Sequence, residues 1–486
     1  MIDLKVWDVA IVGGGPAGLA ASVEAARHGL SVIVFEERIS LGGQIYKQFG
    51  PGFVVKNPSA LGHDYRDGQE LLAAVRKSTV VLRTDTSVLS IYADEIVVVS
   101  GDQKAETIRA RRFILAPGAH DRPVVFPGWT LPGVITAGGA QTLIKTQRVV
   151  PGERILFAGS GPLALAFPAQ LKRYGANLIE ALEAGPAPRL KDLLRLAVRA
   201  PRNFGVLRDA LGYRLALLRS RVPLRYRRII VRAEGEDRVE YVVHAMADAN
   251  WHPIPGTEER VAVDTLCIGY GFFPSIELMR LAGCVMDYDE NLGGSAVRLD
   301  SWMRTSVPNV FAVGDGAGVE GSIVAMAQAR IAAVGIAADL GFVELTEAES
   351  VARPWRTQLR AKRSFSKSLQ SMYRVGSGIY ELDEPDTIVC RCEGVKSGEL
   401  QSVIDSTSDI AVVKGYTRAG MGLCQGRNCQ HHVAAMISRH YSVPIEAVSL
   451  ATARFPVRPV FLRQVADASV ESKKYFVPDT EPDDDR

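Results

Sequence analysis

Four of the six cysteines, Cys390, Cys392, Cys424 and Cys429, fall within forty residues in the pattern C-x-C, thirty-one residues, C-x4-C. Four thiolates at that spacing suit either a [2Fe-2S] cluster or a structural zinc ion. Zinc ligands usually come in pairs two to four residues apart, a habit the C-x-C pair fits poorly, so the iron-sulfur reading is favoured. Disulfides are disfavoured in a cytosolic chain, which makes gathered cysteines ligands rather than bridges. Gly420, Gly422 and Gly426 let the intervening loop wrap closely, so that backbone N–H groups can donate to sulfur. Cys267 instead lies in the apolar run Thr265-Leu266-Cys267-Ile268 and reads as a core residue.

A second chemistry is carried by glycines. Gly13-Gly14-Gly15-Pro16-Ala17-Gly18 is a G-x-G-x-x-G turn between a strand pattern, Asp8 to Val12, and an Ala-rich helix pattern, Leu19 to Arg27. In such a turn Gly13 permits the tight bend, Gly15 lets the backbone approach a pyrophosphate, and Gly18 lets helix pack on strand, while the helix N-terminus offers N–H groups to the anion. The next strand, Ser31 to Phe35, ends at Glu36, about 20 residues on, where a carboxylate accepts from ribose hydroxyls; Glu37 is the neighbouring candidate. The same order recurs at Arg154 to Ala158, Gly159-Ser160-Gly161-Pro162-Leu163-Ala164, a helix to about Tyr174, and a strand Leu178 to Leu182 that ends at Glu183. Ala164 replaces the third glycine, an exchange the fingerprint permits. This second fold either holds a nucleotide or persists as scaffold, and the sequence leaves both open.

Three further segments resemble the signatures of flavoproteins with two dinucleotide domains, such as the thioredoxin reductases: Gly42-Gly43-Gln44, Ala116-Pro117-Gly118 and Gly314-Asp315. The resemblance implies FAD in the first turn, with Gly43, Gln44, Ala116, Gly118 and Gly314 around it and the Asp315 carboxylate on the ribityl chain. Gly321-Ser322 then precedes a helical stretch, Ile323 to Ala333, whose positive end would stabilise an anionic reduced flavin. Those reductases often carry a C-x-x-C disulfide that passes electrons to a thiol. None occurs in this chain, so electrons must leave by another route.

Around these sites the 486 residues are too many for one core. The expected class is α/β: two Rossmann-like dinucleotide-binding domains, one inserted in the other, plus a small C-terminal helical [2Fe-2S] domain. The expected boundaries are 1–130 with 265–345 for the FAD-binding domain, 131–264 for the inserted one, 346–385 as linker, 386–442 for the cluster domain and 443–486 as tail. Helices are expected at Ser397 to Ser406 and Gln430 to Tyr441. No apolar run approaches the ~18 residues of a membrane span and no signal peptide precedes the first strand, so a soluble, cytoplasmic protein without an integral membrane segment is expected. A net charge of +3 argues against nucleic acid as partner. One segment is strongly basic: Arg189 to Arg232 holds twelve Arg and one Lys against Asp192 and Asp209. Apolar residues there at Leu190, Leu193, Leu194 and Val198, and at Leu211, Leu215 and Leu218, have helical spacing. The plain reading is packing stripes with solvated basic faces; the sharper ones are contact with a nucleotide phosphate, a membrane surface or an acidic partner protein.

The cysteine region resembles bacterioferritin-associated ferredoxin, a small helical fold around one [2Fe-2S] cluster. Val389-Cys390-Arg391-Cys392-Glu393 and the run Thr417-Arg418-Ala419-Gly420-Met421-Gly422-Leu423-Cys424-Gln425-Gly426-Arg427-Asn428-Cys429 narrow the likeness. They resemble the large subunits of two-component opine oxidases, of the octopine or nopaline type, with relatives in D-hydroxyproline dehydrogenase and hydrogen cyanide synthase complexes. The likeness spans nearly the whole chain, including Gly269-Tyr270-Gly271-Phe272 and Arg458-Pro459-Val460. It implies that the partner is a second, FAD-containing catalytic subunit, with a small third subunit also possible in the complex. It further implies FMN as an additional candidate cofactor at an interface between subunits, and an opine as substrate of the complex. No motif places a general acid or base, so no catalytic residue is assigned to this chain; His120, His252, His431 and His432 read as satisfied surface or turn residues. Two rivals stand beside this reading: a self-contained NAD(P)H-dependent FAD/[2Fe-2S] reductase, and a non-catalytic electron-transfer scaffold.

Overall fold

The structure is a computed structural model and describes residues 5–50, 52–54, 63–189, 192, 204–370 and 372–466. The short apolar runs of the N-terminal region become strands of one sheet, in the order Val81–Arg83, Val32–Phe35, Val6–Val12, Glu106–Leu115, Glu95–Ser100, Thr86–Tyr92. Val310–Ala312, almost two hundred residues later, joins it as a parallel partner of Glu106–Leu115. The first turn's helix, Pro16–Arg27, is buried through Ala17, Ala20, Ala21 and Ala25 in one core with Ser322–Asp339. Small side chains on both helices allow that close approach, and the Leu345–Gln370 helix adds Ala348, Ala352 and Leu359 to the same core.

A second sheet is wholly parallel, in the order Leu224–Tyr226, Leu178–Glu183, Ile155–Gly159, Thr265–Gly269, Val134–Thr136. Thr265–Gly269 lies between two strands of this sheet, so a boundary at 264/265 cuts through it: the buried run follows its parallel partners Ile155–Gly159 and Val134–Thr136 rather than the first sheet. Cys267 is wholly buried there. A three-stranded antiparallel sheet, Arg228–Glu234, Tyr241–Met246 and Glu259–Ala262, follows the same lobe.

Three expectations are corrected. The Ser322–Asp339 helix has the length and hydropathy of a membrane span, with a mean hydropathy of 1.3, but 67% of it is buried inside the protein against Pro16–Arg27 and Leu345–Gln370. Its alanines serve helix packing, which raises hydropathy as a span would. The segment 346–385, read as a linker, is mostly the Leu345–Gln370 helix, whose alanines pack into the core beside Ser322–Asp339. In the basic segment, Phe204–Arg219 is a helix as its spacing implies, yet Leu211, Leu215 and Leu218 are exposed and Leu217, with Tyr213 and Ala216, faces the core. Leu190, Leu193, Leu194 and Val198 lie outside the described residues.

The cysteine region is a hairpin, Ile388–Cys390 with Val395–Lys396, followed by helices Ser397–Ile404, Ile410–Thr417 and Gln430–Tyr441. It is not an appended bead. Val389, Cys390, Leu400, Ile404, Val413, Cys429, Val433 and Ile437 share one core with Phe126 and Trp129, and with Ile229, Ile230 and Val242 of the three-stranded sheet. The Trp129 indole Nε1 donates to the Ile388 carbonyl at 2.5 Å. The tail returns to the first lobe, where the Val457 N–H donates to the Leu89 carbonyl at 3.0 Å and Gln464 Nε2 to that of Gly101 at 2.7 Å. Trp129→Ala is expected to cost about 3–5 kcal/mol, the usual range for emptying a buried aromatic site, and to release the cluster domain first. Thermal unfolding followed at a cluster band and by far-ultraviolet dichroism checks this, with the cluster band lost at the lower temperature.

Candidate dinucleotide and cysteine sites

Parallel pairing puts the candidate segments together. Val12 stands opposite both Phe35 and Leu115, and Leu115 opposite Ala312. Gly13, Glu36, Ala116 and Val313 therefore leave the sheet at one carboxyl edge, where open α/β sheets bind ligands. Two of the fingerprint's three glycines are demanded by the fold. A Cβ on Gly13 would lie 2.2 Å from the Ala116 carbonyl oxygen, and one on Gly18 would lie 1.8 Å from that of Gly13. Gly15 differs. Its backbone is extended at φ −80 and ψ −176, which any residue adopts, and a Cβ there would meet only the Gly43 Cα at 3.7 Å. Neither conformation nor packing asks for glycine at this position, so the space in front of it suits a ligand's close approach.

Pro16 and Ala17 open the helix, and the Gly42-Gly43 loop presses on the turn, with Gly43 held to glycine by Gly15 at 2.8 Å; Gln44 is exposed beside it. Gly118, at φ +76, has nothing within 4 Å of where a Cβ would be. Glu36 accepts from the Gly14 N–H at 2.8 Å and the Arg38 N–H at 3.0 Å, and burial pushes its carboxyl up. Glu37 pairs with Arg458 of the tail at 2.9 Å, and both line the cavity that holds Gly13 and Glu36. Asp315 accepts from the Glu320 and Gly321 N–H groups through Oδ1, at 3.0 and 2.8 Å, leaving Oδ2 for a ligand hydroxyl; burial raises its carboxyl. Behind it the Gly314 N–H donates to Gln328 Oε1 at 2.8 Å, and Gln328 donates to Glu320, which Arg363 pairs at 2.8 Å. These residues fit a dinucleotide of the FAD kind.

The second turn is built alike, with Tyr373 beside it. Glu183 accepts from the Gly161 N–H at 2.9 Å and the Gly185 N–H at 2.8 Å, and a Cβ on Gly161 would meet Tyr373 at 3.8 Å. Tyr373 follows the Leu345–Gln370 helix; Arg374 pairs with Glu290 at 3.2 Å, and Gly376 fits against Asn250 and Trp251. No sequence motif marked this strap.

The four thiols come from the hairpin and from the loop before Gln430–Tyr441, and a Cβ on Gly422 would lie 2.3 Å from that of Cys392. Among the described residues no three His, Cys, Asp or Glu side chains converge as one metal ion requires. The thiols of Cys390, Cys392 and Cys424 all act on that of Cys429, so the four lie together. Four thiols gathered in this way fit a [2Fe-2S] cluster. The Cys390 thiol is pulled down to about 5 by Cys429 and by the N–H groups of Gly420, Glu393 and Cys392, as a thiolate ligand requires. Cys390 and Cys429 are buried, Cys424 is half-buried and Cys392 is exposed.

The histidines are a correction. His120 is half-buried in the strand Ala119–Asp121 and desolvation pushes its imidazole down; His431 stacks on Phe273 with ring centres 3.8 Å apart and is pushed down to about 3; His432 lies 3.2 Å from Asp383 in the core. On the Gln430–Tyr441 helix His432 is buried beside Val433 and Met436, and His431 is half-buried. His252 alone sits at the surface as expected, with Asp248 and Glu381.

A carboxyl-edge dinucleotide cradle, a second cradle inserted beside it and a cysteine domain define an oxidoreductase of the flavoprotein class. The chain belongs to the pyridine nucleotide-disulphide oxidoreductase family, whose model matches residues 7–333, and the BFD-like [2Fe-2S] binding domain matches residues 388–439. The first implies FAD and the second a [2Fe-2S] cluster. Within that family it groups with the HcnB subunit of hydrogen cyanide synthase from Pseudomonas aeruginosa and the A-type subunit of opine oxidase from Rhizobium meliloti. HcnB is 32% identical over 93% of this chain and 96% of its own length, and the opine oxidase chain is 31% identical over 96% and 88%. The L-proline dehydrogenase of P. horikoshii shares the fold at a TM-score of 0.69 and 22% identity, over 95% of this chain and 79% of that one.

Gly15→Val is expected to remove bound flavin from a folded protein, whereas Cys392→Ser, at an exposed ligand, is expected to abolish the cluster signal and keep the flavin. Flavin content after denaturation, iron content and paramagnetic resonance read both; full flavin in folded Gly15→Val would place the nucleotide elsewhere. Glu183 adds a pH prediction. Burial lifts its carboxyl from 4.5 to about 7, so between those values the folded chain binds a proton that the unfolded chain lacks. Stability should then fall as pH rises across that window, by about 3 kcal/mol from a shift of that size, and Glu183→Gln should flatten the slope in urea titrations.

Proposed function

We propose that this chain is the electron-carrying subunit of a two-component enzyme that oxidises the secondary C–N bond of opines such as octopine or nopaline. On this reading the amine-oxidation site lies on a partner subunit with its own FAD. The amine loses two electrons and two protons to become an imine, which water splits into arginine and a 2-oxo acid. Bound FAD supplies two-electron chemistry and the cluster supplies one-electron steps. Gly13, Gly15, Pro16, Ala17 and Gly18 would hold the pyrophosphate, Glu36 the ribose, and Gly43, Gln44, Ala116, Gly118, Gly314 and Asp315 the flavin half. Cys390, Cys392, Cys424 and Cys429 would hold the cluster. The domains of this reading are a split FAD lobe, an inserted lobe and the cluster domain.

The observation that carries the reading is the surface round Cys392. This exposed ligand lies against Gly422, whose neighbours Met421 and Leu423 are exposed, as is Tyr416 just upstream. A redox centre near an apolar rim suits transfer to another protein, because short distance and a dry contact both favour it. HcnB and the opine oxidase relatives are by name subunits of larger enzymes, which supports a partner. The NAD(P)H reductase alternative needs the second cradle, where Tyr373 lies beside Gly161. FMN at an interface between subunits belongs to the same proposal, and so does contact with a membrane surface through the exposed leucines of Phe204–Arg219.

The isolated chain is expected to reduce no dye with octopine, nopaline or D-hydroxyproline, and to gain that activity when co-expressed with the partner. NADH added without oxygen should leave its flavin band unbleached. Turnover of any of these amines by the chain alone would return the amine site to this subunit, and rapid bleaching would favour the reductase.

A further inference from the structure

Lys47 is a buried cation. It is 6% exposed, and its ammonium donates to the Gly138 carbonyl at 3.4 Å and to the Thr142 hydroxyl. Among the described residues it has no carboxylate partner within ion-pair distance. An ammonium taken out of water without a paired anion costs several kcal/mol, and a fold keeps such a group where an anion arrives in the working state. Burial, with Arg38 and Lys145 nearby, pulls it down to about 7, while Asp121 pulls the other way.

Its position narrows the identity of that anion. Lys47 lies three residues beyond Gln44, on the loop that presses Gly43 against Gly15. Asp121 lies three residues beyond Gly118, and its Oδ1 accepts from the Gly138 N–H at 3.3 Å. A Cβ on Gly138 would lie 2.3 Å from Asp121 Oδ2, so glycine at 138 is what lets the carboxylate sit there. Two of the loops assigned to the flavin half thus converge on Gly138 and Thr142, which belong to the inserted lobe. The ribose acid Glu36 lies elsewhere along the edge, with the Gly14 N–H. A dinucleotide that starts at Glu36 and crosses Gly15 runs on toward Gly43, Gly118 and Asp315, and so toward Lys47.

We propose that Lys47 is the positive charge facing the flavin end of the dinucleotide, where it stabilises negative charge on the reduced ring, with Thr142 and Asp121 fixing the ammonium through the Gly138 turn. This rests on the FAD reading above. The helix beginning at Ser322 can serve the same end from another side, but a Lys47 ammonium held protonated by an arriving anion is a whole charge in a dry site, where it acts far more strongly than in water.

The experiment compares the full-length chain with its Lys47→Met, Lys47→Gln and Lys47→Arg variants. The readouts are flavin content, flavin midpoint potential and affinity of the bound flavin for sulfite, an anion that adds to electron-poor flavins. Lys47→Met and Lys47→Gln should keep the flavin, bind sulfite at least tenfold more weakly and show a lower potential, while Lys47→Arg should stay near the parent. Lys47→Gln retains donors for Gly138 and Thr142, so it covers a failure of Lys47→Met to fold. Unchanged sulfite affinity and potential in flavin-loaded Lys47→Gln would overturn the proposal, as would loss of flavin from that folded variant, which would make Lys47 a pyrophosphate holder. A parent chain that binds no flavin would fail the FAD reading instead, a distinct result.

Discussion

Parallel register is the constraint on which the rest depends. Because Val12, Phe35, Leu115 and Ala312 end at one level, four segments far apart in sequence deliver their first non-strand residue to one edge. Buried polar groups there need partners, and the local backbone supplies them: Gly14 and Arg38 N–H to Glu36, Glu320 and Gly321 N–H to Asp315. Both carboxyls are raised by burial, against which these N–H groups work, and a ligand hydroxyl would add a further donor. The site is thus organised before any ligand enters, which lowers the ordering cost of binding.

Much of this was legible because glycine and strand periodicity report local needs. The turn at Gly13 to Gly18, the acid at Glu36, the second copy ending at Glu183 and the Gln430–Tyr441 helix all follow from residue types within a few positions of one another. What was not legible depends on distant packing. Nothing in the run Thr265 to Gly269 says which of two parallel sheets it will join, and only its pairing with Ile155–Gly159 and Val134–Thr136 decides. Leu217 rather than Leu211, Leu215 and Leu218 faces inward because Tyr213 and Ala216 share its side of the helix, a choice helical spacing alone leaves open. Lys47 had no motif to announce it, since a buried cation is recognised by what does not surround it.

The cysteine domain shows how a cluster site becomes part of a larger core. Cys390 and Cys429 belong to the same apolar cluster as Trp129 and Ile230, whereas Cys392 and Cys424 face outward. Arg427, inside the second cysteine pair, meets Glu277 of the first lobe at 3.0 Å with both side chains mostly buried, and also reaches the Val457 carbonyl at 3.2 Å. Burial pulls this guanidinium down and Glu277 pulls it back, the balance expected of a desolvated ion pair. Such a pair contributes little net stability but is costly to break, so it fixes orientation more than it strengthens the interface.

That orientation bears on how electrons can travel. Arg427 and Arg458 line a cavity with Gly13, Glu36 and Pro117, which brings the cysteine loop to the ribose end of the cradle. Lys47, on the proposal above, marks the flavin end, where the loop after Gly43 meets the inserted lobe at Gly138 and Thr142. Electron transfer weakens steeply with distance, so on that reading the end of the cradle at which the cysteine loop arrives decides which groups can exchange electrons. Cys392 and its apolar neighbours face solvent rather than the cradle. On the proposed reading, the exposed rim at Cys392 is where a redox group of a partner would complete the path.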